Sequence, residues 1–201
     1  MRTMIRRLVL ALPLLAASCA GNETPPETFS PPNYSYLSPI RLNVAAVEIE
    51  DRSGPEPGSV DSLSPVRPAD ALKQMAKDRL IAGGTAGRAV FVIDRASIVR
   101  GGGGLTGAMA VHLDVFAGDG DTRAGYAEAK VTRRRTSTDT SENAGSVLYQ
   151  MTTQMMADMN VEFEFQVTHS LKDWMQATAR TAPLPPPVQA QDLATSPPVR
   201  P

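Results

Sequence analysis

The chain predicts an α+β fold: a four-stranded sheet with two helices on one face, in the order β-α-β-β-β-α. Three observations carry this expectation. Apolar residues recur at helical spacing in two segments, one opening at Pro68 and one covering 143–172. Four other segments alternate apolar with polar residues or run almost continuously apolar, as strands do. Proline-rich stretches bracket these six elements and leave 40–174 as one domain, long enough to bury its own core.

The first strand reads IRLNVAAVEIE. Ile40, Leu42 and Val44 alternate, and after Ala45 and Ala46 the apolar set becomes Val47 and Ile49, a change of parity that a β-bulge would produce. The loop DRSGPEPGSVDSLSPVRP is rich in chain breakers. Pro68 suits a first helical turn, where its missing N–H costs nothing. Leu72, Met75, Ala76, Arg79 and Leu80 then keep helical spacing, and Gly83 and Gly84 mark the expected end. The nearly continuous apolar run of RAVFVIDRASIVR predicts a central strand. After four glycines at 101–104, GAMAVHLDVF places Met109, Val111, Leu113 and Val115 on one face, and AGDGD is a hairpin turn.

The fourth strand, TRAGYAEAKVTRRR, sets Gly125, Ala127, Ala129 and Val131 on one face, small enough for a helix to pack closely. Tyr126, Glu128, Lys130 and Thr132 point the other way. In the last segment Leu148, Met151, Met155, Met159, Phe163, Val167 and Leu171 recur every three or four residues. Within it NVEFEFQVTH also alternates as a strand would, through Val161, Phe163, Phe165 and Val167. The helical spacing runs unbroken through both halves and favours one long helix. A strand followed by a helical crossover implies at least one parallel pairing.

The N-terminus carries a second kind of information. Arg2, Arg6 and Arg7 precede a short apolar core, well under the ~20 residues that span a bilayer, and residues 1–18 read as a secretory signal peptide. Leu15, Ala16, Ala17, Ser18 and Cys19 resemble the bacterial lipobox, whose cysteine receives acyl chains after cleavage. The resemblance implies a lipid attached at Cys19, and Ala20 in place of aspartate implies the periplasmic face of the outer membrane. Ala16 and Ser18 also satisfy the small-residue rule of ordinary cleavage. Residues 19–39 read as a flexible tether and 175–201 as a disordered proline-rich tail.

Cleavage before Cys19 removes three arginines and no acids, so the 20 basic side chains become 17 against 21 acidic ones, a net charge of −4. That balance argues against nucleic acid as a partner. Cys19 is the one cysteine, so no disulfide or cysteine-based metal site can form within the chain. The residues call for no cofactor and no metal.

No catalytic constellation emerges. GGTAGRAVF ends a helix and opens a strand, the wrong polarity for a phosphate-binding turn. His112 is expected as an exposed strand residue beside Asp114, and His169 sits near a helix C-terminus, where imidazole is mildly favoured. Glu162 and Glu164, two apart, diverge on a helix. Met156 falls off the buried stripe and is the expected methionine of a partner surface. Arg133, Arg134 and Arg135 are the candidate contact for an anionic lipid or glycolipid, because guanidinium matches phosphate in bidentate geometry.

The lipobox followed by this layout, roughly from Ile40 to Leu171 and including Ala127, Ala129, Val131 and Arg133, resembles the LPS-assembly lipoprotein family and the auxiliary lipoproteins of ABC-type envelope lipid transporters. The resemblance implies a non-catalytic accessory or adaptor subunit, held on the membrane by acyl chains and docked on an envelope protein. A periplasmic amphiphile-binding lipoprotein is the alternative, and a hydrolase comes last.

Overall fold

A computed structural model describes residues 28–118, 120–136 and 143–176; the expected signal peptide 1–18, Cys19 with the lipobox-like residues before it, and the expected tail beyond its first two residues, Met175 and Gln176, lie outside the described residues. The elements are β1 (Ile40–Leu42), β2 (Ala46–Asp51), α1 (Pro68–Arg79), β3 (Leu80–Ala82), β4 (Arg88–Gly101), β5 (Gly104–Phe116), β6 (Arg123–Thr136) and α2 (Ala144–Ser170). Strands β2, β4, β5 and β6 form one sheet in that order, with β2 parallel to β4 and the other pairs antiparallel. Both helices share one core with this sheet, so the α+β architecture follows the sequence pattern.

The apolar run in β4 has the expected cause. It lies between β2 and β5, and Ala89 through Ile93 are all buried. The small face of β6 likewise lies under α2: Ala127 and Ala129 are buried, and a Cβ added at Gly125 would sit 2.6 Å from Leu171 Cδ2. Above this floor Phe163 meets Phe91 edge-on with ring centroids 5.3 Å apart. Such pairs contribute about 0.5–1.5 kcal/mol beyond their buried area. The segment 161–167 is helix throughout, as the unbroken spacing predicts.

The first strand is divided rather than bulged. β1 pairs in parallel with β3, whereas β2 pairs with β4, so the change of parity at Ala45 and Ala46 is a change of sheet. Between the two, Asn43 N–H donates to Trp174 O at 2.7 Å and Ala45 N–H to Gly87 O at 3.0 Å. This pairing also shortens the first helix. α1 stops at Arg79, because Leu80–Ala82 is taken up as a strand by β1. Gly84 therefore does not cap the helix. It allows a backbone crossing, since a Cβ there would lie 2.6 Å from the carbonyl carbon of Asn43. Register shifts occur elsewhere: in β4 between Ile93 and Arg95, which leaves Asp94 as the extra residue, and in the β5–β6 pair between Val115 and Phe116.

Residues 28–39, expected as part of a flexible tether, instead form a strap seated on the domain. Tyr34 is buried and its N–H donates to Asp78 Oδ2 at 2.8 Å, while the Phe29 ring lies 5.0 Å from that of Tyr149. Burial, then the neighbouring Tyr36 and Asp78, raises the Tyr34 phenol far above its ordinary range. Beneath the strap, the Arg79 side chain is only 1% exposed. It donates to Ser38 O at 3.2 Å, to Asn160 O at 3.3 Å and to Asn160 Oδ1 at 3.2 Å, and pairs with Glu164.

Arg79→Ala should lower stability by about 3 kcal/mol, because it removes a buried side chain that ties the strap to α2 and leaves the buried Asn160 Oδ1 without its donor; the urea midpoint is the measurement, and an unchanged midpoint contradicts this account. A second expectation concerns Asp51, which pairs with Lys73 of α1 at 2.7 Å. Partial burial alone would raise its pKa, but hydrogen bonds from Lys73 and Ser53 and the charge of Lys73 outweigh burial and hold it below the usual carboxylate range. Its contribution is therefore complete above the unfolded value of about 4 and is lost as pH falls through the lower folded value. Urea midpoints on the acid side should fall less steeply for Asp51→Asn than for the parent; equal slopes would contradict this.

Candidate interaction surface

The inward side of α2 follows the heptad-like spacing. Leu148, Met151, Met155, Met159, Phe163 and Val167 are each no more than 1% exposed. Met156 corrects the expectation of a partner surface: it too is buried, at 1%. The strap covers a second side of the helix, so the buried arc widens to take in Thr152, Met156 and Asn160. Between strap and helix lies a depression of about 290 Å³ bordered by Pro31, Tyr34, Tyr36, Tyr149 and Met156.

The outward side carries what the inward side does not need. Val161 is 73% exposed and Phe165 61%, one helical turn apart. The Phe165 ring stacks on the His169 imidazole, 6.0 Å between centroids and 5° between planes. Tyr36, 78% exposed, borders the same depression as Ala157 and Asn160, next to Val161. The strand-like alternation of NVEFEFQV is thus explained: Phe163 and Val167 fill the core, while Val161 and Phe165 form an outer apolar row. Carboxylates flank the row. Asp158 pairs with Arg133 at 3.0 Å, Glu162 accepts from Gln166 at 2.8 Å, and Glu164 holds Arg79.

The three arginines do not converge. Strand alternation sends Arg133 and Arg135 toward α2, where Arg133 meets Asp158 and Arg135 lies 3.3 Å from Gln150. Arg134 points to the opposite face, and a single three-guanidinium cluster is therefore excluded by the pleat. Arg134 and Arg135 instead border a cavity of about 310 Å³ at the end of the sheet, together with the glycines of the β4–β5 turn.

The sheet face away from the helices carries a charge network. His112, expected as exposed, has a side chain only 14% exposed. Its Nδ1 lies 2.6 Å from Asp94 Oδ2, and its Nε2 faces Asp114 Oδ2 at 3.5 Å. Arg123 donates to Asp114 at 3.0 Å and lies 4.6 Å over the Tyr126 ring. Asp94 shares the open face with Val92, the register partner of His112, so strand alternation brings it to the imidazole, and the bulge that follows adds Arg95 to the same face. Both imidazole nitrogens face carboxylates, so the arrangement joins β4, β5 and β6 electrostatically and aims neither nitrogen at a hydroxyl. Among the described residues no group of three or more His, Cys, Asp or Glu is placed to hold a metal ion, and no helix is long and apolar enough to cross a membrane.

No family model matches the chain, and no curated protein matches it. Among solved structures, a protein from Xanthomonas campestris assigned to family DUF330 is similar over 73% of this chain and 95% of its own, at 11% identity and a TM-score of 0.38. It is a distant structural neighbour, and no site residue is carried over from it.

Proposed function

We propose that this chain is a non-catalytic, lipid-anchored accessory subunit of a cell-envelope machine for lipid or lipopolysaccharide transport or assembly, docked on a protein partner through the outer face of α2. One observation supports this reading above the others: Val161 and Phe165 stand exposed on a helix whose remaining large apolar side chains are buried or half-buried. Their exposure contributes nothing to the domain's own fold, and full burial against a partner would return about 1.5–3 kcal/mol for each. At the centre of the sheet face, by contrast, Asp94, His112, Asp114 and Arg123 satisfy one another. The lipobox at Cys19 supports a location on the outer membrane, facing the periplasm. A second reading, a periplasmic amphiphile-binding lipoprotein, draws on the aromatic-bordered depression under the strap. Its volume of about 290 Å³ lies at the lower edge of the ~300–1,000 Å³ of ligand pockets, which favours docking over carriage.

Cys19→Ala should move the protein from the membrane pellet to the soluble periplasmic fraction; a mutant that still pellets refutes the anchor. The double change Val161→Glu with Phe165→Glu should abolish crosslinks in cells to an envelope protein, read by mass spectrometry. Because both positions are exposed, the unfolding free energy from urea titration should change by no more than about 0.5 kcal/mol. An undiminished crosslink pattern refutes docking through α2, and co-purified lipid in its place supports carriage.

A further inference from the structure

The seated strap changes what the anchor can do. Nine residue steps separate Cys19 from Thr28, the first described residue, and fully extended they span at most about 32 Å. A domain joined to acyl chains by so short a link rests near the bilayer, and the end at which the chain arrives is the end that meets lipid.

That end is well defined. The Phe29 ring leans against Tyr149 in the first turns of α2, and a Cβ placed on Gly145 would lie 3.5 Å from Pro65 and 3.8 Å from Phe29. Pro65 follows the short 3-10 turn Asp61–Leu63, which is fixed to β4 by Ile98 N–H donating to Asp61 Oδ1 at 2.6 Å. The β4–β5 turn and the last residues of β6 lie at the same end, since Gly104 pairs with Thr136 and Arg135 meets Gln150 of α2. On this pole Leu63 is 60% exposed on a backbone held by its own hydrogen bonds, with Pro65, Arg100 and Arg134 also exposed.

We infer that this pole, with Leu63 at its tip and Arg100 and Arg134 around it, is a membrane-contact surface that seats the domain upright on a phospholipid bilayer. The inference rests on the lipid-anchor reading of Cys19. Leu63 enters the interfacial region, and the guanidinium groups lie at headgroup depth, where phosphates accept their hydrogen bonds. The chain around the pole is not uniformly basic: Glu27 directly precedes the strap in sequence, and Asp139 and Glu142 belong to the connecting segment 137–142. Apolar contact is therefore the main term and the arginines add to it. The pose has a consequence for docking. At 1.5 Å per residue, Val161 lies about 24 Å and Phe165 about 30 Å along α2 from Gly145, which lifts the apolar row clear of the headgroups toward a partner.

The test uses the native acylated protein, in which the alkylated Cys19 leaves no reactive thiol. Leu63→Cys and, separately, Phe165→Cys are labelled with an environment-sensitive fluorophore and reconstituted in vesicles of phosphatidylethanolamine with phosphatidylglycerol. The label at position 63 should shift to the blue and lose emission to doxyl-labelled lipid, while the label at 165 keeps its emission. Arg134→Glu should reduce the quenching at 63. Intact mass of the same sample reports the acyl chains. Chains present with no quenching at 63, or with equal quenching at both positions, overturns the upright pose alone. A sample whose Cys19 carries no acyl chain overturns the pose together with the anchor.

Discussion

A buried guanidinium sets the terms for this domain. Removing an ion from water costs several kcal/mol, and only a full set of acceptors repays it. For Arg79 those acceptors come from three residues: Ser38 on the strap, and Asn160 and Glu164 on α2. None of the three is near Arg79 in sequence, so α1, α2 and the strap must be in position together for the guanidinium to be satisfied. The strap is therefore a structural member, and its two aromatic anchors, Phe29 and Tyr34, fix the path by which the polar contact is reached. The same residue ends α1, at the point where the chain turns into β3.

Much of the architecture was legible because periodicity is a local property. The inward faces of β5 and β6 and the stripe of α2 could be read residue by residue, and the small floor at Ala127 and Ala129 announced a helix above it. What could not be read depended on distant partners. A parity change at Ala45 and Ala46 looks the same whether a strand bulges or changes sheets. Leu80 continues a helical spacing perfectly well until β1 offers a parallel partner. The polar, proline-rich strap is held by two isolated aromatics, too few to raise a pattern. Met156 is buried by a strap that was expected to be loose. The separation of Arg134 from Arg133 and Arg135, in contrast, was available from strand parity alone.

The exposed features divide by whether the fold satisfies them. On the open sheet face, Asp94, His112, Asp114 and Arg123 satisfy one another, and water can solvate the remainder. On α2, Val161 and Phe165 have no such internal solution. A row of two side chains makes only a weak interface by area, and the proposed confinement to a membrane surface would raise the effective concentration of a partner enough to occupy it. The proposed anchor and the apolar row are complementary for that physical reason.

The small sheet has one more property. β1 is completed by residues that come last in the described chain: Leu42 bridges to Met175, Asn43 N–H donates to Trp174 O, and Gln176 N–H donates to Arg41 O at 2.9 Å. The two ends of the domain thus lock each other. A polypeptide is synthesised from its N-terminus, so β1 waits for roughly 130 further residues before its edge is covered. Until then its open backbone is exposed to any strand nearby, and a nascent or truncated chain lacking 171–176 would remain a partner-seeking edge rather than a finished domain.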